Sequence, residues 1–375
     1  MKRIPMKKLI LSLLMIGMTG AGFSQMLPKK AYLRMQGYLG DLVEVTMNLV
    51  KVNDSLYADY YLSTADAYSS PKVLGGRIHA DGSFTLNTPF DPQGSSVKGK
   101  FITRQTMTGT WEMEPGGTRY RFSFTENYPT GSTPLSVWFQ SASKPLTGKG
   151  PKPRAYIEQC LVIPSESGNS LASDTVRQRI MKQISAASES ATDPQRFLDA
   201  LQQSYFTNYI NDNLDLYKQM PEAGTLNWDL YKLIHVVYNE QFLLSYYLDS
   251  YAFTGGAHGL GAQDYTVINM KTGKVVTASD LFVKEYEPVL TIILTAKLKK
   301  MEKLQPGEKL SEKAEYFVDE IPPNSNFYIT GEGIGFFYNH YEIAPYSHGF
   351  TDIFLTFGEL APVLKTGSIL APFLR

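Results

Sequence analysis

Leu226–Phe253 reads LNWDLYKLIHVVYNEQFLLSYYLDSYAF. Aromatic and branched residues dominate it, with single polar residues such as Asp229, Lys232 and Ser245 among them, and its longest polar break falls at Asn239-Glu240-Gln241. That pattern predicts two long strands joined by a tight turn. The preceding segment has a different period. Asp193-Pro194 is a helix start, an N-cap followed by proline at the first helical position. Phe197, Leu201, Tyr205 and Tyr209 then fall every four residues on one face, so a helix is expected to about Met220. A helix handing over to two strands, with no βαβ rhythm around them, points to an α+β unit.

Working outward, Tyr156–Ile163 reads as a strand, and Asp174 caps a helix through about Ala187. After Phe253 comes the glycine-rich TGGAHGLG, then the strand DYTVINM, with Lys271-Thr272-Gly273-Lys274 as a hairpin turn. Ser279-Asp280 caps a short turn. Glu287 to Leu304 is an amphipathic helix with Lys297, Lys299, Lys300 and Lys303 near its negative end, stopped by Gln305-Pro306-Gly307. Strands near Phe327–Thr330, Gly335–Asn339 and Asp352–Phe357 are expected to finish the sheet. Residues 155–375 are thus read as α+β, an antiparallel sheet with helices on one face.

Upstream the period is two throughout. LVEVTMNLVKV, SLYADYYLS, VLGGRIHADGSFTL, VKGKFITRQTMTGTWEM and TRYRFSFTENY are separated by turn signals, of which Asp81-Gly82 is the strongest. Residues 25–140 are read as an all-β antiparallel meander or small barrel. Gly recurs near strand centres in GYLG, VLGG, VKGK and TGTWE, as a curved sheet requires. SASKPLTGKGPKPR, residues 141–154, reads as a linker. Residues 1–24 read as a signal peptide: four basic residues, an apolar run Leu9–Met18 and small residues at Gly22 and Ser24. No later apolar run approaches a membrane span, so an exported, periplasmic or secreted, protein is expected.

Without the leader the chain has net charge −4, divided as +3 over 25–150 and −7 over 151–375. A mildly acidic second part argues against nucleic acid and is compatible with a basic partner, or with ordinary solubility. Cys160 is the single cysteine, in the strand-like YIEQCLVIP, and reads as a core residue.

Two stretches concentrate the unusual chemistry. Tyr251–Gly259 reads YAFTGGAHG, and Phe327–Phe350 reads FYITGEGIGFFYNHYEIAPYSHGF. The first lacks the spacing of a phosphate-binding loop. His258 there is either a cap on a backbone carbonyl or an exposed ligand contact. His340 and Glu342, two apart on a strand, could share a metal with a third ligand from elsewhere, His258 or His348, but there is no HExxH and no Cys pair, and no metal or other cofactor is expected. No GxSxG elbow or other nucleophile motif occurs. Trp111 and Trp138 are candidates for stacking sugar rings, against the commoner role of strand aromatics in a core.

SYAFTGGAHG, NMKTGKVVTASDLF and FYITGEGIGFFYNHYEIAPYSHGF occur in that order within about 156–364. Together they resemble the RsiV-type extracytoplasmic family, a domain of unknown function. It is shared by a lysozyme-sensing anti-sigma factor and, as an accessory module, by some peptidoglycan deacetylases. Gly255, Gly256, His258, Gly259, Tyr341, Glu342, Pro345, Tyr346 and Gly349 match the shared motif, whereas His340 and His348 depart from it. The resemblance implies ligand contacts at Gly255, Gly256, His258, Tyr341, Glu342 and Tyr346. The transmembrane signalling of the anti-sigma factor and the HxxxH chemistry of the deacetylases do not carry over, because their residues are absent here.

The function expected is an exported, non-catalytic cell-envelope protein. Its second part would bind peptidoglycan or another wall glycan, or an envelope protein such as lysozyme. The alternatives are an enzyme of wall glycan with His258 and Glu342 converging in a cleft, and a lysozyme-binding, inhibitor-like protein.

Overall fold

A computed structural model describes residues 27–40, 43–63, 70–148, 150, 153–166, 171–185 and 192–374. The expected signal peptide lies outside them. The chain opens with eight strands: β1 (Lys30–Leu39), β2 (Val43–Val52), β3 (Ser55–Ser63), β4 (Lys72–Ile78), β5 (Ser83–Asn87), β6 (Ser96–Phe101), β7 (Thr106–Glu112) and β8 (Arg119–Glu126). Each pairs antiparallel with the next, and β8 closes on β1 through Met35–Leu39, so the meander is a closed barrel. Closure removes the free edges that a flat meander would expose.

The period-two pattern sends one side of every strand inward. Met35, Met47, Leu49, Leu86, Val97, Trp111 and Phe124 fill the interior with essentially no exposure. Trp111, flanked edge-on by Tyr60 at 4.8 Å, is therefore a core residue and not a sugar platform. The strand-centre glycines let neighbouring strands crowd. Gly99 lies opposite Gly109, and a Cβ on Gly109 would sit 2.6 Å from Gly99 Cα.

The second part holds a six-stranded sheet in the order β14-β13-β12-β11-β10-β9. Its strands are β9 (Leu135–Pro145), β10 (Arg154–Pro164), β11 (Trp228–Glu240), β12 (Leu243–Phe253), β13 (Leu260–Asn269) and β14 (Lys274–Val275). Helices α1 (Leu171–Ile184) and α2 (Pro194–Gln219) cover one face. Asp193 caps α2 by accepting from Arg196 N at 2.9 Å, as its sequence predicts. Phe197, Leu198, Val176 and Ile180 pack on Leu161, Ile163 and Ile234. The β11–β12 turn falls at Gln241-Phe242, both at positive φ, two residues beyond the expected break.

Three details differ from the sequence reading. Ser141–Pro145, expected within a linker, complete β9 and pair with β10 along the whole hairpin. The β10–β11 pair is parallel, because α1 and α2 intervene as a crossover and return the chain to the same end of the sheet. The last strands, β15 (Phe327–Ile329), β16 (Gly333–Tyr338) and β17 (Thr351–Thr356), do not extend the large sheet but form a second, three-stranded one. It packs over the face opposite α1 and α2, where Tyr328, Ile334, Phe336 and Leu355 share a core with Val237, Tyr247 and Val267. Helix α3 (Ala278–Leu281) carries a capping box between Thr277 and Asp280. Helix α4 (Glu287–Met301) closes the other side of the small sheet through Leu290, Leu294 and Leu298.

The barrel is seated on the large sheet through buried polar contacts. Tyr32 donates to Asn48 Oδ1 at 2.7 Å, and Asn48 Nδ2 donates to Val237 O at 2.8 Å. Arg34, only 1% exposed, reaches Glu240 at 2.8 Å. Asp59 on β3 accepts from His235 Nδ1 at 2.8 Å and from Tyr247 Oη at 2.9 Å. Buried groups of this kind are matched in place, so they define one docking of barrel on sheet.

Candidate functional site

Strand register brings a set of polar and aromatic residues onto the sheet face opposite α1 and α2. Glu158 lies beside Tyr231, Leu233 beside Asp249, and His235 beside Tyr247 and, one strand further, Tyr265. One end of this face is sealed. His235 stacks on Tyr247 at 4.7 Å, Tyr247 on Tyr265 at 4.7 Å, and Tyr265 meets Tyr328 of the small sheet at 5.0 Å. The other end is open. There Tyr156, Tyr231 and Tyr251 stand in a row across β10, β11 and β12, with ring centroids 5.7 and 5.9 Å apart. All three are partly accessible, Tyr251 at 38%.

Carboxylates interleave with the row. Tyr156 donates to Glu158 Oε2 at 2.6 Å. Asp229 is opposite Tyr156, and Asp249 lies one residue pair inward. Burial raises the Asp249 pKa above the ordinary carboxylate range, against the pull of His235 and with the help of Asp59. His235 is raised too: burial disfavours its charged form, but the adjoining Asp59 carboxylate outweighs that. Burial raises Tyr156 and Tyr231, with Glu158 as the leading charge on Tyr156. The barrel supplies a wall, since Tyr57 on β3 lies close enough to Glu158 and Cys160 to be raised by both, after burial.

The row continues into the loops that carry the motif residues. Tyr251 packs its ring so closely on Gly259 that any Cβ there would overlap it. The Gly259 carbonyl in turn accepts from Tyr346 Oη at 3.1 Å. His258 lies over Tyr346 at 4.5 Å, and Tyr346 contacts His340 at 4.3 Å and Tyr341 at 5.9 Å. Phe350 completes the rim against His340 at 4.3 Å. His258 is exposed, and its Nδ1 donates to the carbonyl of Gly259 at 2.9 Å, so it caps the loop and still offers a free face. Burial lowers the His340 pKa, against a backbone hydrogen bond at Tyr346 and with the help of the neighbouring His258.

Of the six ligand-contact candidates, His258, Tyr341 and Tyr346 meet in this rim. Gly255, at φ +94°, turns the same loop against Thr225, and Gly256 is exposed beside it. Glu342 turns away, accepting from Asn324 Nδ2 at 3.3 Å. Among the described residues no hydrogen bond or ion pair joins His258 to Glu342, and no three His, Cys, Asp or Glu side chains gather as a metal-holding group. The sequence reading passed over Tyr156, Tyr231, Tyr251, Asp59, His235 and Asp249. The signal available was the period-two placement of Tyr231 and His235, and of Tyr247, Asp249 and Tyr251, each set on one face of its strand.

Comparison with known proteins places this site in context. Residues 154–261 match the family model described as deacetylase PdaC, and residues 279–358 match a protein family of unknown function, DUF3298. The tyrosine row and His258 fall in the first match, and the rim residues His340, Tyr341, Tyr346 and Phe350 in the second. A DUF3298 family member from Bacteroides fragilis has a similar fold, with TM-score 0.60 at 22% identity over 65% of this chain and 99% of that one. A second, from Pseudomonas aeruginosa PAO1, gives TM-score 0.44 at 18% identity over 63% and 96%. No curated protein matches. The second part is thus similar to a PdaC-type segment followed by a DUF3298 segment, a pairing compatible with an RsiV-type module. No helix among the described residues is long and apolar enough to cross a membrane.

Proposed function

We propose that this is an exported, non-catalytic cell-envelope protein that binds a wall glycan along the Tyr156–Tyr231–Tyr251 row and the adjoining His258–Tyr346 rim. The observation that carries the reading is the row itself: three accessible rings on adjacent strands, with Glu158 and Asp229 paired beside them. Aromatic faces of this kind take the C–H face of a pyranose, while Glu158 and Asp229 can accept from its hydroxyls. Rings spaced along three strands suit a linear polymer better than a compact ligand. Similarity to a segment named for a deacetylase, and the absence of its HxxxH motif from this sequence, favour an accessory role on a glycan.

The test is calorimetric titration of the protein with chitohexaose and with muropeptide fragments. Tyr231→Ala and Tyr251→Ala are each expected to remove about 1–2 kcal/mol, a five- to thirtyfold loss of affinity. Unchanged affinity in both variants refutes the assignment. Capture of an envelope protein such as lysozyme, with no glycan bound, supports the protein-partner alternative instead.

A further inference from the structure

An open cleft of about 540 Å³ lies on the barrel, outside both family matches. It runs between the β5–β6 connection and the turn after β7, with Asn87, Thr88, Phe90, Ser96, Glu112 and Pro115 around it. Its volume is in the range of small-molecule sites.

Phe90 is the feature that needs a reason. Its side chain is fully exposed, and its backbone sits at φ +58°. A bulky residue in the left-handed region is strained, and glycine or asparagine would hold the same turn more easily. An exposed ring adds nothing to the barrel core either. Two separate penalties thus fall on one residue, and that residue lines this cleft.

The loop is built to keep it there. Thr88 N donates to Ser95 O at 3.0 Å, and Ser95 N to Thr88 Oγ1 at 3.0 Å. Asp91 caps the turn by accepting from Gln93 N at 2.9 Å, and Pro89 and Pro92 stiffen both sides of Phe90-Asp91. Ser95 Oγ ties the loop to the opposite wall through Met113 O at 3.2 Å. On that wall Glu112 accepts from Arg119 Nε at 2.8 Å and from Gly116 N at 2.6 Å. These bonds hold its carboxyl below the ordinary range, so it stays ionised.

We infer that this cleft is a second ligand site, taking a neutral saccharide ring with its C–H face on Phe90 and its hydroxyls toward Asn87, Ser96 and Glu112. One flat apolar platform, set among hydroxyl, amide and carboxylate groups, is the chemistry that recognises a sugar. The proposal is independent of the tyrosine row and gives the barrel its own part in binding.

The experiment uses the full chain carrying Tyr231→Ala and Tyr251→Ala, so that binding at the row is weakened. Chitohexaose and cellohexaose are the probes, with calorimetry for affinity and hydrogen–deuterium exchange for location. At least one hexaose is expected to bind and to protect residues 87–96 and 112–116. Phe90→Gly is expected to weaken that binding at least tenfold while leaving Tm unchanged or raised, since it relieves the left-handed strain. A purely structural Phe90 would instead lower Tm when replaced. Asn87→Ala, on the end of β5, provides a second variant with the same expected loss. Undiminished binding in both variants, no protection of these segments by either hexaose, or protection by a proline-rich peptide alone overturns the proposal. Failure at the row leaves this result readable, because two of its three rings are already removed and the protected segments lie on the barrel.

Discussion

Replacing Asp59 by Asn tests whether barrel and sheet are docked by charge. Asp59 sits 4% exposed, between His235 Nδ1 at 2.8 Å and Tyr247 Oη at 2.9 Å, 176 residues from its histidine. Asparagine keeps both hydrogen bonds when the imidazole is neutral: its oxygen accepts from Tyr247 and its amide donates to Nδ1. Only the charge is lost. The folded-state pKa of His235 is raised above the unfolded one, so the ion pair's contribution is complete below about pH 6.5 and disappears as pH rises through the folded value. Unpairing a buried charge costs about 3–5 kcal/mol, partly relieved when the imidazolium sheds its proton. The variant is therefore expected to be destabilised by about 2–4 kcal/mol at pH 5.5 and by less than about 1 kcal/mol above the folded pKa. Urea unfolding of the protein and of Asp59→Asn, in half-unit steps from pH 5.5 to 9, measures the gap. A gap that is constant or widens with pH refutes the reasoning, because it would place the stabilisation in the hydrogen bonds and not in the charge.

Asp352 on β17 accepts from Tyr328 Oη at 3.0 and 2.9 Å, and burial pushes its pKa up to about 7, against the opposing pull of that hydrogen bond. A raised carboxyl favours the protonated folded state, so stability should fall as pH rises from about 4 to 7; Asp352→Asn should remove about 1–4 kcal/mol of that fall in urea titrations. Parallel profiles for the two proteins would exclude it. Cys160 is buried and its thiol is pushed up to about 12, first by burial and then by Glu158. Iodoacetamide at pH 8 should leave it unmodified in the folded protein and alkylate it in urea; alkylation at similar rates in both states would show the strand to be open.

What could be read locally was read correctly where the signal was local. The turn at Asp81-Gly82, the N-cap at Asp193 and the strand pair around Leu226–Phe253 each depend on residues within one or two turns of each other. Period two predicted the barrel strands, and strand-centre glycines such as Gly99 and Gly109 predicted curvature. The misreadings have one cause. SASKPLTGKGPKPR has a linker's composition, yet Ser141–Pro145 are strand because β10 offers a partner with a matching edge. The final strands looked like a continuation of the large sheet because hydrophobic alternation says that a strand is buried, not which strand it pairs with.

The candidate site divides the same way. The residue types of the TGGAHG loop and of NHYEIAPYSHG drew notice in the sequence, and three of them, His258, Tyr341 and Tyr346, come together. The tyrosine row was invisible, since Tyr156, Tyr231 and Tyr251 are ordinary strand residues until parallel pairing of β10 with β11 and antiparallel pairing of β11 with β12 align them. By itself, then, the sequence determined the local elements, the two-part β and α+β character and the unusual loops, because caps, turns and periodicity act over a few residues. Only the tertiary structure decided the closure of the barrel, the separate small sheet, the Asp59–His235 contact and the row of rings. Those depend on register and docking between segments far apart in the chain, which no local pattern encodes.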